Sequence, residues 1–208
     1  MKLSKKEAEN ICLQYGLGRL NRFEKNDEGY LNESFIFYCT RGKFVVLVLG
    51  AYLDNWKKSK LELQFKLLNY LHKNHFPYEI PYPIKNKNGD YLYETHGKYL
   101  WVYKFIEGEI KKNFSKEDFI EMIKAIAYFH KYTKKFNEKD AGRYDDFSWL
   151  EQEYLKLNNL KVKNKLDGLM KKNIDLMLFL INKMKKINFG KFIVTHSDFN
   201  EGNVIFRN

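Results

Sequence analysis

The sequence contains little cysteine and little proline. Its two cysteines, Cys12 and Cys39, stand alone, and because no CxxC or Cys/His cluster is present, the spacing excludes a thiol-based zinc site. A chain of 208 residues also needs no disulfide framework. The 3 prolines and 12 glycines are too few for a collagen-like or low-complexity chain, whereas 44% hydrophobic and 17% aromatic residues supply a core. The composition predicts a soluble globular chain of one large domain or two small ones.

Long apolar runs are also missing. The longest one, Phe44 to Leu49, is far shorter than the roughly 20 residues that a membrane-spanning helix needs. The segment Met1 to Glu9 is charged and polar, and it lacks the apolar core of a secretory signal. Isolated thiols, a polar N-terminal segment and the lack of a spanning run together predict a cytoplasmic protein with no membrane partner.

The sequence contains fewer acidic residues than basic ones. The 37 Lys and Arg residues against 26 Asp and Glu residues give a formal net charge of +11 at pH 7, which raises the hypothesis of nucleic-acid binding. However, 5 of these cations are Arg and the rest are Lys, and the lysines between Lys161 and Lys186 alternate with apolar residues at helical spacing. That pattern is typical of a solvated helix face. A basic RNA-associated protein is therefore kept only as a second alternative.

The first half of the chain predicts helices and strands in alternation. Ser4 and Glu7 have the spacing of a capping box, which predicts a helix that ends at Gly16. Aromatic and β-branched runs separated by Gly-containing turns predict two hairpins, and apolar residues spaced three and four apart predict a helix between them. In chain order, these further elements are strands 35–39 and 44–49, helix 58–73, and strands 91–95 and 98–105.

The second half predicts mainly helices. Ser115 is a candidate cap, and apolar residues follow it at helical spacing as far as Thr133. Two further helices are predicted over 147–160 and 173–184, and β-like runs are predicted over 191–195 and 203–206. A sheet-rich first half and a helix-rich second half indicate the α+β class.

The loop 196–203 carries the residues suited to chemistry. His196, Asp198 and Asn203 form the pattern His-x-Asp-x4-Asn on a loop that contains Gly202. A carboxylate can orient a hydroxyl nucleophile, and an amide oxygen can help to hold the Mg²⁺ ion that neutralises phosphate charge, which are two requirements of phosphoryl transfer. Outside such a context, Asp, Asn and Gly are ordinary turn residues.

The segment from His196 to Phe206 resembles the catalytic loop of the aminoglycoside phosphotransferase, homoserine kinase and choline kinase group, usually written HGDLHPGNVLF. It matches that pattern at His, Asp, Gly and Asn. Other segments resemble, in the same order, the end of the family's first helix, its nucleotide loop, the following strand, the hinge and the LARLH helix. These segments are Tyr15–Gly18, Gly29–Phe35, Phe44–Leu49, Phe105–Gly108 and Ala127–His130.

The resemblance runs over nearly all of the chain and is closest to the homoserine-kinase-like branch. It implies a protein-kinase-like, two-lobed α+β fold, with an antiparallel-sheet N-lobe over residues 1–106. Residues 107–208 would form a helical and incomplete C-lobe that contains the loop 196–203. The implied activity is that of an ATP-dependent phosphotransferase, with Mg²⁺ as a second cofactor and a hydroxyl of a small molecule as the acceptor.

The resemblance also implies a role for individual residues. Asp198 would accept or orient the substrate hydroxyl, Asn203 would bind Mg²⁺, and His196 would brace the loop. Residues of the nucleotide loop would lie over the ATP phosphates, and backbone groups near the hinge would meet the adenine. The first set is Gly29, Asn32 and Ser34, and the second is Val102, Tyr103 and Phe105.

Two departures from the family pattern weaken this interpretation. Leu47 stands where many members have a Lys that reaches the phosphates, and Lys43 lies about 13 Å away along the strand at about 3.3 Å per residue. The Glu that pairs with such a Lys would fall near Glu62 or Gln64. The sequence also ends at Asn208, before the family's second metal-binding Asp, so we expect a weak or inactive kinase. The first alternative is thus a non-catalytic kinase-like module that binds a nucleotide or a partner.

Overall fold

The fold is that of a computed structural model, which describes residues 3–26, 32–49, 55–136, 148–158, 161–186, 194–196 and 198–207. The chain forms two compact units. One unit comprises residues 1–139 together with 193–208, and the other comprises residues 140–192. The predicted α+β class is confirmed, whereas the lobe boundary at residue 106 stays a prediction.

An antiparallel sheet forms the body of the first unit. Its strands in the described residues are β1 (Leu20–Asn26), β2 (Glu33–Cys39), β3 (Gly42–Val48), β4 (Pro83–Ile84), β5 (Tyr93–Thr95) and β6 (Lys98–Lys104). The order across the sheet is β1-β2-β3-β6-β4, and β5 also pairs with β6. Leu47 lies opposite Ser34 on one neighbouring strand and opposite Trp101 on the other. Both predicted hairpins are confirmed.

The first unit also contains the helices α1 (Lys5–Tyr15), α2 (Asn55–Lys73) and α3 (Lys116–Thr133). The predicted capping box starts α1, since the Ser4 side chain accepts the Glu7 N–H and the Glu7 carboxylate accepts the Ser4 N–H at 2.7 Å. Gly16 ends that helix with a left-handed φ of 63°. A second capping box, formed by Ser115 and Asp118, starts α3.

The second unit contains the helices α4 (Ser148–Asn158) and α5 (Lys165–Met184), which pack against each other. The helix predicted over 173–184 begins earlier, at Lys165. The reason is that the Asn164 side chain accepts the Asp167 N–H and so caps a longer helix. An ion pair between Lys185 and Glu151 links the two helices.

The sheet is covered on both faces, because alternate residues of a strand point to opposite sides. One face packs against α1 through a core that contains the buried residues Ile11, Phe37, Val46, Leu100 and Val102. The other face packs against α2. Its buried residues are Phe65, Leu68 and Trp101, and Leu47, Leu61 and Tyr103 pack against them.

Further segments differ from the sequence prediction, and among them the short strand β4 was not predicted. Strand β1 was not predicted, because its sequence LNRFEKN is largely polar and it lies at the sheet edge. The strand predicted over 203–206 is wrong, since Phe206 alone forms a β-bridge, with Glu109. Of the run 191–195, residues 191–193 lie outside the described residues, and Val194 and Thr195 are not in a strand. No helix in the described segments is long and apolar enough to span a bilayer.

Candidate active site

In the loop 196–203, the described residues, which are His196 and 198–203, form several hydrogen bonds with one another. The Asp198 N–H donates to the His196 carbonyl at 2.8 Å, and the Asn203 N–H donates to the Asn200 carbonyl at 3.1 Å. The side-chain oxygen of Asn200 accepts the Gly202 N–H at 2.9 Å. Asn200 is thus an organising residue of the loop that the sequence reasoning missed. The sequence could have indicated this role, because Asn favours turns in which its side chain forms a hydrogen bond with the backbone N–H two residues later.

Asp198 and Asn203 lie in direct contact. The Asn203 Nδ2 donates to the Asp198 carbonyl at 2.8 Å and to its carboxylate Oδ2 at 3.0 Å. The Asn200 Nδ2 donates to the other carboxylate oxygen, Oδ1, at 2.7 Å. Each carboxylate oxygen therefore holds one amide donor and keeps further lone pairs for a ligand. The Asp198 side chain is exposed, so a solute can reach it.

The donor set of this loop fits a Mg²⁺ ion that a nucleotide brings with it. The amide nitrogen of Asn203 donates to Asp198, so the carbonyl oxygen Oδ1 is the atom of this amide that can serve as a metal ligand. Mg²⁺ takes hard oxygen ligands, and it is usually held by one or two protein groups together with waters and phosphates. In the segments that the structure describes, no three His, Cys, Asp or Glu side chains cluster into a protein-only metal cage.

Ring contacts and one buried hydroxyl hold the loop against α3. The His196 ring lies edge-on to Phe129 at 6.0 Å and to Phe199 at 5.5 Å between centroids. Before the loop, the Thr133 hydroxyl is fully buried and donates to the Val194 carbonyl at 2.8 Å. These contacts give His196 a packing role in which it supports the loop.

A β-bridge connects Phe206, three residues after the loop, to the segment 105–109. Glu109 and Phe206 exchange two backbone hydrogen bonds, each of 2.9 Å. The neighbouring Gly108 has a φ of 140°, and a Cβ placed on it would lie 2.3 Å from the Phe206 carbonyl oxygen. Glycine is therefore needed there for both its backbone angle and the close approach.

The residues expected near the adenine lie at the end of β6. Val102 is opposite Val46 on β3 and Ile84 on β4, and Tyr103 is opposite Val45 and Pro83. Burial raises the pKa of the Tyr103 hydroxyl above its ordinary value. The Phe105 N–H donates to the Lys43 carbonyl at 2.9 Å.

The residues expected over the phosphates are only partly described. Gly29 lies outside the described residues. Asn32 is half-buried just before β2, and Ser34 is 6% exposed within it. Within the described part of the chain, no hydrogen bond joins Ser34 to Asp198 or Asn203. The sheet and the loop are instead connected through the segment 105–109 and Phe206.

The surroundings of Leu47, where many members of the family have a Lys, are apolar on both β3 and α2. Leu47 of β3 and Leu61 of α2 pack against the same cluster, in which Trp101 is buried. Glu62 and Gln64, the two positions expected to face the strand, are exposed instead. Leu47 cannot form the ion pair, and the exposed Glu62 and Gln64 do not pack against the cluster that contains it.

An antiparallel sheet backed by α2, joined by a short segment to a helical part that carries a His-x-Asp-x4-Asn loop, defines a kinase-like phosphotransferase fold. A spectinomycin phosphotransferase solved with ADP and spectinomycin matches 100% of this chain and 67% of its own, with a TM-score of 0.62 and 15% identity. A microcompartment-associated aminopropanol kinase matches 97% of this chain and 64% of its own, with a TM-score of 0.66 and 12% identity. At these identities the likeness shows the fold.

In sequence, the chain is similar to homoserine kinases. It is 28% identical to the enzyme of Bradyrhizobium diazoefficiens over 102 residues, which cover 49% of this chain and 30% of that protein. It is 26% identical to the enzyme of Agrobacterium fabrum over 147 residues, 71% of this chain and 44% of that protein. The matches thus span less than half the length of these relatives, and no family model matches the chain. The predicted resemblance to an aminoglycoside phosphotransferase and homoserine kinase-like family is confirmed.

Proposed function

We propose that this chain carries the nucleotide-binding sheet and the catalytic loop of a phosphotransferase that moves the γ-phosphate of ATP to a hydroxyl of a small molecule. The contact between Asp198 and Asn203 carries this proposal. It sets an exposed carboxylate against the side-chain amide of Asn203. The similarity to homoserine kinases supports it.

The loop residues then have separate tasks. The Asp198 carboxylate accepts a hydrogen bond from the acceptor hydroxyl and orients it toward the phosphate. Asn203 and Asn200 hold that carboxylate through their amide nitrogens. The Asn203 Oδ1 would be a ligand of Mg²⁺, which supplies charge neutralisation at the phosphates when it is bound.

The base would lie on the sheet face that α2 also covers. Ile36, Val45 and Tyr103 are in register across β2, β3 and β6, so their side chains form an apolar row on one face. Gly29, Asn32 and Ser34 would lie over the phosphates, and Val102, Tyr103 and Phe105 near the adenine. The spectinomycin phosphotransferase was solved with ADP and with AMP, which supports a nucleotide at this position.

The acceptor class follows from the chemistry that the similar proteins share. Homoserine, aminopropanol and spectinomycin kinases all phosphorylate a hydroxyl on a molecule that also carries an amine. Amino alcohols are therefore the first acceptors to test.

A second candidate function is nucleotide binding without transfer. The apolar pair Leu47 and Leu61 favours it, because neither residue can neutralise phosphate charge. With Leu at this position, the chain lacks a cation whose attraction to the phosphate charge would be stronger in the transition state. We therefore expect at most slow turnover.

Substitution of the two loop residues tests both candidates. We expect Mg-ATP to raise the melting temperature of the wild type and of Asp198→Ala, and to raise that of Asn203→Ala less. Phosphorylation of homoserine, aminopropanol, choline or spectinomycin should fall at least about 100-fold in Asp198→Ala. Asp175→Ala and Asn182→Ala, on exposed positions of α5, are the matched controls.

The possible results separate the two candidates. A nucleotide-dependent melting shift without turnover of any acceptor would favour binding without transfer. If neither Mg-ATP nor Mg-GTP shifts the melting temperature of the wild type, both candidates are wrong.

A further inference from the structure

Lys43 is the second residue of β3, and its side chain lies on the same sheet face as Val45 and Leu47 because strand residues alternate. That is the face proposed for the nucleotide base. The Lys43 side chain is 28% exposed, which is low for a lysine at a strand end. Lys43 lies four residues from Leu47, which is too far along the strand to replace the missing phosphate-binding Lys. Its partly buried position therefore suggests another role.

The contacts of Lys43 converge on the segment that follows β6. Its carbonyl accepts the Phe105 N–H at 2.9 Å. Its ammonium lies 3.3 Å from the centroid of the Phe105 ring, a close cation–π contact, and 3.8 Å from the Glu107 carboxylate. The Tyr38 ring, at 5.5 Å, is a weaker neighbour. One residue therefore fixes both the backbone and the ring of Phe105.

The ring contact is the strongest of these side-chain interactions. Glu107 is 67% exposed and its carboxylate is at 3.8 Å, so solvent screens that ion pair. The ammonium lies 3.3 Å from the centroid of the Phe105 ring, on a side chain that is 28% exposed, and it restricts the orientation of that ring. Lys43 therefore acts on the position of Phe105 more than on the charge of Glu107.

Phe105 stands at a junction between the two parts of the proposed site. Before it, Tyr103 belongs to the apolar row of the sheet. After it, Glu109 is bonded to Phe206, which follows the catalytic loop. In the part of the chain that the structure describes, the backbone groups of Ile106 and Glu107 form no hydrogen bond with another backbone group, so they are candidates to meet the edge of a base, whereas Gly108 packs against Phe206.

We propose that Lys43 is a positioning residue for the nucleotide base, acting through Phe105 and the backbone that follows it. This inference rests on the proposed function and adds a residue that the family pattern does not assign. Lys43 does not replace the missing phosphate cation. It holds the segment 105–107 against β3. The backbone of this segment is then already in place when the base binds, and binding does not have to order it.

Binding of Mg-ATP and of adenosine to Lys43 variants tests this proposal. Lys43→Met keeps the aliphatic stem and loses the charge, so we expect the Kd of both ligands to rise about 3- to 10-fold, the range of one partly covered cation–π contact. Lys43→Arg can stack on Phe105 and should restore most of the affinity. Any phosphotransfer should show a raised KM for ATP and an unchanged kcat, because Asp198 and Asn203 are untouched.

Lys85→Met is the matched control, since Lys85 is exposed and lies 5.5 Å from the Tyr91 ring. We expect its Kd values to equal those of the wild type. A Lys43→Met variant that binds both ligands like Lys85→Met overturns the proposal, and so does one that loses affinity for ATP but not for adenosine. If the wild type binds neither ligand, the proposed function itself is wrong, and the role of Lys43 falls with it.

Discussion

Leu47 and Leu61 show, at the scale of single residues, how the chain departs from the family that it resembles. A buried ion pair pays a desolvation cost that its mutual attraction often only balances. Two leucines packed against Phe65 and Trp101 avoid that cost. The two leucines therefore maintain the packing between α2 and the sheet without a charge. Of the buried side-chain polar atoms in the described residues, the Trp101 indole nitrogen lacks a partner, which fits its apolar surroundings.

Gly108 is the residue whose substitution should disturb the loop most directly. In Gly108→Ala, the new Cβ would meet the Phe206 carbonyl oxygen at 2.3 Å and the Ile205 Cγ2 at 2.6 Å, at a φ of 140°. We expect a loss of about 1 to 3 kcal/mol in the free energy of unfolding, measured by urea denaturation, together with weaker nucleotide binding. Gly89→Ala is the control, because Gly89 has a φ of 87° and open space around it. Equal nucleotide affinity in the two variants would show that the close approach is unimportant.

The two thiols offer a test of the core around α1. Cys12 and Cys39 are 2% and 8% exposed, and their sulfur atoms lie 3.5 Å apart. Burial raises the pKa of both thiols, so the reactive thiolate is scarce at pH 8 and becomes more abundant as the pH rises. We expect an aromatic disulfide reagent to label the native protein slowly at pH 8, faster at higher pH, and rapidly in guanidinium chloride. Fast labelling of the native protein would contradict the packing of α1 on the sheet.

At the scale of elements, local chemistry accounts for what could be predicted. Ser4, Ser115 and the apolar spacing predict α1 and α3 because caps and periodicity depend on neighbouring residues. Strand β1 cannot be predicted in this way, because its sequence is largely polar and it becomes a strand only by pairing with β2. The bridge at Phe206 is a similar case, because its partner Glu109 is distant in sequence.

The cap of α3 gives a test at this scale. The Ser115 side chain accepts the Asp118 N–H at 3.1 Å, and Asp118 accepts the Ser115 N–H at 2.9 Å. Ser115→Ala should lower the free energy of unfolding by about 1 kcal/mol, whereas Ser115→Asp should retain most of it. Thermal melts of the three proteins measure the difference. Equal melting temperatures for Ser115→Ala and the wild type would mean that α3 does not depend on its capping box.

At the scale of the whole molecule, the site was only partly predictable. Asp198 and Asn203 could be selected because both lie in one short pattern, and the fold brings their side chains into contact. Lys43 could not be selected. Its contact with Phe105 depends on the register of β3 against β6, which pairs Phe44 with Lys104. A long-range register is a property of the assembled sheet, and no local pattern encodes it.

The bridge between Glu109 and Phe206 also has a consequence for folding. It joins residues roughly 100 positions apart, and closing so long a loop costs entropy before the contact repays it. The β2–β3 and β5–β6 hairpins close loops of only a few residues, so the entropy cost of closing them is small. We therefore expect the two hairpins to form before the bridge does. For the same reason, we expect the region around Asp198 and Asn203 to form late in folding and to be among the first parts to open when the protein is destabilised.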